Sequence, residues 1–314
     1  MRILVVGAGA IGGYFGGRLK DAGRDVTFLV RERRAVQLAK TGLVIRSPLG
    51  DVSLPSPPTV MAEALREHFD LILLSCKAYD LASATDSFAP AVGPHTAILP
   101  LLNGMAHMDF LGTRFGADSV LGGQCVISTT LDTEGRILHL NDTHFLSFGE
   151  QDGAMSERAN AIASTFAGAR FESKLSDIIL QEMWEKWVLI STVAGITCLM
   201  RATIGDIIAA EAGDLATSLL DECSAIASAQ GYAPREAITA RNRTMLTTRG
   251  SGFAASMLRD IERGAPIEAD HIIGDLLRRG EKTGRDYPLL RISYAHLKAY
   301  EARRTREKAA APTA

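Results

Sequence analysis

The sequence predicts an α/β protein in two parts, a doubly wound parallel sheet in residues 1–175 and an all-helical domain in residues 176–314. Up to about residue 175, short β-branched apolar runs alternate with amphipathic or turn-rich stretches, whereas beyond it only long helical patterns follow. Length agrees: 314 residues suit two domains, each able to bury its own core.

The elements follow in order. Strands are expected over 3–6, 26–30, 71–76 and 97–101, with helices over 12–22 and 33–41 between them. Apolar runs without strict alternation fit strands covered on both faces, and strand–helix–strand alternation winds them into a parallel sheet. The β-rich stretches 120–130 and 137–148 are expected to extend the far side of that sheet. A helix over 156–167 and an extended stretch over 170–174 complete the first part. Ser176-Asp177 then reads as a helix N-cap. Helices are expected over 178–200, 204–230, 234–247, 252–263, 268–283 and 289–303, punctuated by Gly231, Gly250, Gly264, Gly284 and Pro288. No strand is expected here, and the basic, Ala-rich segment 301–314 reads as a frayed helix end.

Composition narrows the function classes. Hydrophobic residues make up 46% and charged residues 22%, which fits a folded globular chain rather than a disordered one. A net charge of −2 gives no reason to expect nucleic acid or an anionic membrane as partner. The start, MRILVVGAGAIGG, is too short in its apolar run for an export signal. The longest mostly apolar stretch, 187–200, falls short of the roughly 18–20 residues of a membrane span. Cys76, Cys125, Cys198 and Cys223 form no CxxC or zinc spacing and read as reduced thiols of a cytoplasmic protein. The seven histidines show no ligand spacing, so no metal is assigned.

Gly7-Ala8-Gly9-Ala10-Ile11-Gly12 is a GxGxxG turn placed between an apolar strand and a helix. Its first glycine allows the turn, its second lets the backbone approach a pyrophosphate, and its third lets helix and strand pack closely. Helix-start N–H groups then face the phosphates. This places a Rossmann-type dinucleotide site at the N-terminus. After the second strand stands Arg31, where an NAD site carries an acidic residue. A guanidinium matches a 2′-phosphate in charge and donor geometry, so NADP(H) is the expected cofactor. Glu32 leaves the NAD reading open.

Four further segments belong to one pattern. They are Leu74-Ser75-Cys76-Lys77-Ala78-Tyr79, Leu99-Pro100-Leu101-Leu102-Asn103-Gly104-Met105, Trp184-Glu185-Lys186-Trp187, and Ser256-Met257-Leu258-Arg259-Asp260 with Glu268-Ala269-Asp270. With the early glycines, their order and spacing resemble the ketopantoate reductase (2-dehydropantoate 2-reductase) family across nearly the whole chain. The resemblance implies NADPH-dependent reduction of a 2-oxo acid in pantothenate synthesis, and a helical domain that often supports a homodimer.

Lys77 and Asn103 follow the C-terminal ends of expected parallel strands, where open α/β sheets place their ligand crevice. The resemblance makes both line the cofactor and substrate cleft; a solvated lysine and a plain Asn-Gly turn are the alternatives. Lys186 sits between Trp184 and Trp187 in an apolar helix, so it either snorkels outward or enters a cleft. An ion pair with Glu182, four residues earlier, is the ordinary alternative. The resemblance makes Lys186 the general acid, bonding the ketone oxygen and donating the proton. By the same resemblance Glu268 hydrogen-bonds the substrate hydroxyl close to cofactor and lysine, and Ser256 contacts the substrate carboxylate. Their alternatives are a carboxylate at a helix start and a helical serine without a ligand.

The pattern departs at Ile190, Ala194 and Ile204, where the family carries asparagines. Buried polar contacts discriminate strongly between substrates, so a more apolar 2-oxo acid or ketone suits these positions better. A non-catalytic NADP-binding sensor is the reading from outside the enzymes. Lys186 and Glu268, which nucleotide binding alone does not need, oppose it.

Overall fold

The computed structural model describes residues 1–310, which divide into two compact units. The first holds Met1–Leu102 and His107–Ile179; the second holds Asn103–Ala106 and the chain from Leu180 onward.

In the first unit β1 (Arg2–Val6), α1 (Ala10–Asp21), β2 (Asp25–Leu29) and α2 (Glu32–Thr41) follow one another as the alternation predicts. Next come β3 (Leu43–Arg46), β4 (Val52–Leu54), β5 (Thr59–Val60), β6 (Leu71–Leu74), α3 (Leu81–Phe88), β7 (Ala97–Pro100) and α4 (Ala106–Phe115). One sheet has the order β5-β2-β1-β6-β7, parallel throughout. Ile3, Leu4, Val5 and Leu71 to Leu74 are fully buried, as strands covered on both faces must be. Val6 stands opposite both Leu29 and Leu74, and Leu74 opposite Pro100, so these strands end level at their C-terminal edge. The winding reverses between β1 and β6, which is where such sheets open a ligand crevice.

The remaining strands, β8 (Gly122–Leu131), β9 (Ile137–Gly149) and β10 (Glu172–Leu175), correct one expectation. Stretches 120–130 and 137–148 do not extend the first sheet. They build a second, mixed one of order β10-β9-β3-β4, with β8 antiparallel to β9. The described link to the first sheet is a single bridge, Ile98 to Val120, with Leu121 N–H donating to the Ile98 carbonyl at 2.9 Å. Two missed strands cause the difference: β3 pairs with β9 and β4 forms the edge beyond it, but at four and three residues, split by Ser47-Pro48 and Gly50-Asp51, they are too short to stand out in the sequence.

Helix α1 explains why a second sheet is needed. A Cβ on Gly16 would lie 2.7 Å from Phe28, and one on Gly17 would lie 2.8 Å from Ile45. The helix is therefore clasped between sheets, and glycine's cost inside a helix, about 1 kcal/mol relative to alanine, is set against apolar contact on two sides. Phe15, Leu19, Phe28, Phe148 and Phe166 form that core, with α5 (Glu157–Phe166) covering its far end. Ser156 caps α5 by accepting from Ala159 N–H at 3.1 Å.

Beyond Leu175 the described residues contain no strand. Ser176 Oγ accepts from Ile178 N–H at 3.3 Å ahead of α6 (Ile179–Met200). The expected helix 204–230 is two helices, α7 (Ile204–Ala209) and α8 (Gly213–Ala229). Glu211, at φ 58°, turns the chain between them. Thr203 and Asp206 cap α7 reciprocally. Then come α9 (Glu236–Thr247) and α10 (Ser256–Glu262), shorter than expected because 252–255 stay outside it. The segment 268–283 is interrupted by a π-helical turn, Asp270–Gly274, before α11 (Asp275–Glu281). Helix α12 (Pro288–Ala310) runs on through 301–310, carrying ion pairs such as Arg303–Glu307, where a frayed end was expected; 311–314 lie outside the described residues.

Candidate active site

The glycine turn has the form its spacing predicts. Gly7 sits at φ 93°, open to glycine and costly for other residues, and its N–H donates to the Leu29 carbonyl at 3.0 Å. A Cβ on Gly12 would lie 2.1 Å from Ser75 Oγ and 2.2 Å from the Gly7 carbonyl, so the third glycine is fixed by packing. A Cβ on Gly9 would meet nothing within 4 Å, so the second glycine faces open space. Ala8, Ala10 and Ile11 carry the chain into α1, whose first turn has no acidic residue. The N–H groups of such a helix start, which have no partner within the helix, suit an anion.

Arg31 precedes α2 at the end of β2 and is exposed. Its guanidinium donates to Asp80 Oδ1 at 2.9 Å and Ser83 Oγ at 3.3 Å. Glu32 opens α2 and is exposed. Lys77, also exposed, follows β6 at the start of a single 3₁₀ turn. The glycine turn, Arg31 and Lys77 thus share the C-terminal edge of one sheet.

Asn103 groups with the helical unit. The adjoining Gly104, at φ 81°, lies against His271: a Cβ there would be 2.9 Å from the His271 carbonyl. The His271 ring hydrogen-bonds the Asn103 backbone and feels the charge of Glu268. Burial is the main influence on that ring and pushes its pKa below the ordinary histidine range. Glu268 is half-buried, and its carbonyl accepts from Ile272 N–H at 3.0 Å.

Lys186 is half-buried on α6, between Trp184 and Trp187, which are 2% and 1% exposed. The two indoles lie 4.8 Å apart, Trp184 stacks on Tyr232, and the Arg279 guanidinium covers both. Trp187 Nε1–H donates to the Ile272 carbonyl at 2.9 Å, joining α6 to the turn that follows Glu268. Ser256 is the exposed first residue of α10. Ile190 is half-buried, while Ala194 and Ile204 are buried.

Three residues escaped the sequence reading. Arg34 Nε donates to the Ala8 carbonyl at 3.0 Å and Nη1 to Gly135 at 3.0 Å, bracing the glycine turn. Its only trace in the sequence is a position one helical turn beyond Arg31. Glu185, 5% exposed, accepts from Arg235 Nε at 2.7 Å and Nη2 at 2.5 Å. Burial alone pushes its carboxyl up, but hydrogen bonds from Arg235 and Gln181 prevail and hold it below the usual carboxylate range. His271 is the third, because nothing in a single histidine signals the turn it supports. Burial holds the Cys198 and Cys223 thiols up at about 12, far from a reactive thiolate. Among the described residues, no group of three or more His, Cys, Asp or Glu is placed for a metal ion, and no helix is long and apolar enough to cross a membrane.

A glycine turn opening a helix at the switch point of a parallel sheet, followed by an all-helical unit, defines a Rossmann-type oxidoreductase fold. The ketopantoate reductase PanE/ApbA family model matches residues 3–153, and its C-terminal counterpart matches residues 178–301. The chain belongs to the ketopantoate reductase family. It is 38% identical to an uncharacterized oxidoreductase, YkpB, of Bacillus subtilis over 96% of this chain and 99% of that one. It is 29% identical to a 2-dehydropantoate 2-reductase of Mesorhizobium japonicum, covering 92% and 94%. The crystal structure of 2-dehydropantoate 2-reductase from Methylococcus capsulatus superposes with a TM-score of 0.87 at 28% identity, covering 97% and 98% of the two chains. The family comprises oxidoreductases acting on CH–OH groups, whose members bind NAD(P)H through this fold.

Proposed function

We propose that this protein is an NADPH-dependent reductase that converts a 2-oxo acid to its 2-hydroxy acid, in the manner of ketopantoate to pantoate. The supporting observation is the Trp187–Ile272 hydrogen bond, which ties the α6 turn carrying Lys186 to the turn that follows Glu268. Nucleotide binding alone does not need Lys186.

Gly7, Ala8, Gly9, Ala10, Ile11 and Gly12 receive the pyrophosphate on backbone N–H groups, and Arg31 takes the 2′-phosphate, exchanging part of its bond to Asp80 for it. Lys77, Asn103 and Glu268 complete the cofactor contacts. Bound NADPH supplies the hydride. Lys186 bonds the ketone oxygen, offsets the negative charge that grows there, and gives up its proton as the carbonyl becomes CH–OH. Solvent then reprotonates the amine. Glu268 orients the hydroxyl, and Ser256 with Asn103 and Lys77 holds the substrate.

Ile190, Ala194 and Ile204 favour a second reading, the same chemistry on a more apolar 2-oxo acid, because Ala194 and Ile204 are buried and none offers an amide. Initial rates of NADPH oxidation with ketopantoate and with 2-oxo acids bearing plain branched alkyl chains separate the two. Efficient turnover of ketopantoate supports the first and removes the second. NADPH binding without turnover of any 2-oxo acid would reduce the protein to a sensor.

A further inference from the structure

The π-helical turn Asp270–Gly274 is bonded from three directions. From α6, Trp187 Nε1–H and Ser191 Oγ–H both donate to the Ile272 carbonyl, at 2.9 Å and 3.3 Å. From α12, Tyr294 Oη–H and Lys298 Nζ donate to the two Asp270 carboxylate oxygens, at 2.5 Å and 2.9 Å. On the third side lies the 103–104 peptide. The His271 ring bonds the Asn103 backbone in the sense that favours the protonated imidazole, so a ring N–H donates and the Asn103 carbonyl accepts. A Cβ on Gly104, whose φ is 81°, would lie 2.9 Å from the His271 carbonyl and 3.2 Å from its ring, so both pack against the same face of that glycine. Turns of this i→i+5 kind are concentrated at functional sites.

We propose that His271 is a positioning residue for the reductase reaction: its ring and its own carbonyl together brace one face of the Asn103–Gly104 peptide, and so fix the Asn103 side chain for cofactor and substrate. This rests on the role of Asn103 proposed above. The two anchored faces of the turn leave His271 little freedom, so the brace inherits its rigidity from α6 and α12. A side chain of similar size without an N–H leaves the Asn103 carbonyl without that donor, an effect of about tenfold in kcat/KM.

The test compares wild type with H271F, H271Q, N103A and the double variant N103A/H271F, reading NADPH affinity by nucleotide fluorescence and kcat/KM with the best 2-oxo acid. H271F is expected to lose about tenfold in kcat/KM while remaining folded at the assay temperature, as its thermal midpoint checks. H271Q, which keeps an amide N–H near the ring nitrogen, recovers most of it. The double variant performs no worse than N103A alone, because both changes act through one group. Losses that multiply, or a folded H271F with wild-type kinetics, overturn the brace. If H271F does not fold, G104A pushes a methyl into the face where His271 meets the same peptide and must show the same dependence on Asn103. N103A with wild-type affinity and rates would instead remove the Asn103 role, and the brace with it.

Discussion

Arg31 and Lys186 illustrate how differently single residues disclose themselves. Arg31 stands out because its place after the second strand is where spacing looks for a cofactor contact, and the structure adds its partner, Asp80. Replacing Arg31 by alanine is expected to weaken NADPH by about tenfold or more, the scale of a charge-assisted contact. NADH should change little; equal losses would deny the 2′-phosphate contact. Lys186 carries no local signature of the role proposed for it, since a lysine with Glu182 four residues away resembles any helix-surface pair. Only the resemblance singled it out. Arg34, Glu185 and His271 stayed hidden for a related reason: each acts on backbone or charge distant in sequence, and no residue beside it encodes that partner. Glu185, for example, meets Arg235 fifty residues later.

At the scale of elements, packing decides what pattern leaves open. The strands of the first sheet were legible because each is a short apolar run, whereas β3 and β4 depend on pairing with a partner far along the chain. Helix α1 concentrates the consequences. Gly12→Ala pushes a methyl into Ser75 Oγ and the Gly7 carbonyl, so a loss of about 1–3 kcal/mol in unfolding free energy is expected together with weaker nucleotide binding; an alanine variant of wild-type stability would contradict the close strand–helix contact. Further along α1, Arg18, 1% exposed, donates to Tyr14 Oη at 3.2 Å, and Tyr14 lies 2.8 Å from His144 Nδ1. Burial first, then the charges of Arg18 and His139, lower the His144 pKa against an opposing Glu172. The unfolded chain therefore binds the proton near pH 6.5 while the folded chain resists it. This contribution is complete above about pH 6.5 and is lost as pH falls toward the lowered folded value. Thermal midpoints measured from pH 7 down to pH 5 should fall, and H144Q, which keeps an acceptor for Tyr14 but does not titrate, should flatten that fall. An unchanged slope in H144Q would place the acid sensitivity elsewhere.

For the molecule as a whole, the change of grammar after residue 175 announced an α/β part and a helical part, and both are present. Less visible was the placement of Asn103–Ala106 with the helical unit, although this segment follows directly on a strand of the first. Sequence order predicted a loop there, but the partner that holds it, His271, comes from a turn more than 160 residues later. Catalysis by the proposed route requires that proton donation and nucleotide binding be separable properties of one chain. Single-turnover oxidation of NADPH by the preferred 2-oxo acid, followed by stopped-flow absorbance in wild type and Lys186→Ala, measures that separation directly. The expected result is a rate at least about 100-fold lower in the variant, with NADPH affinity unchanged. A variant that reduces the 2-oxo acid at the wild-type rate would show that Lys186 is not the proton donor.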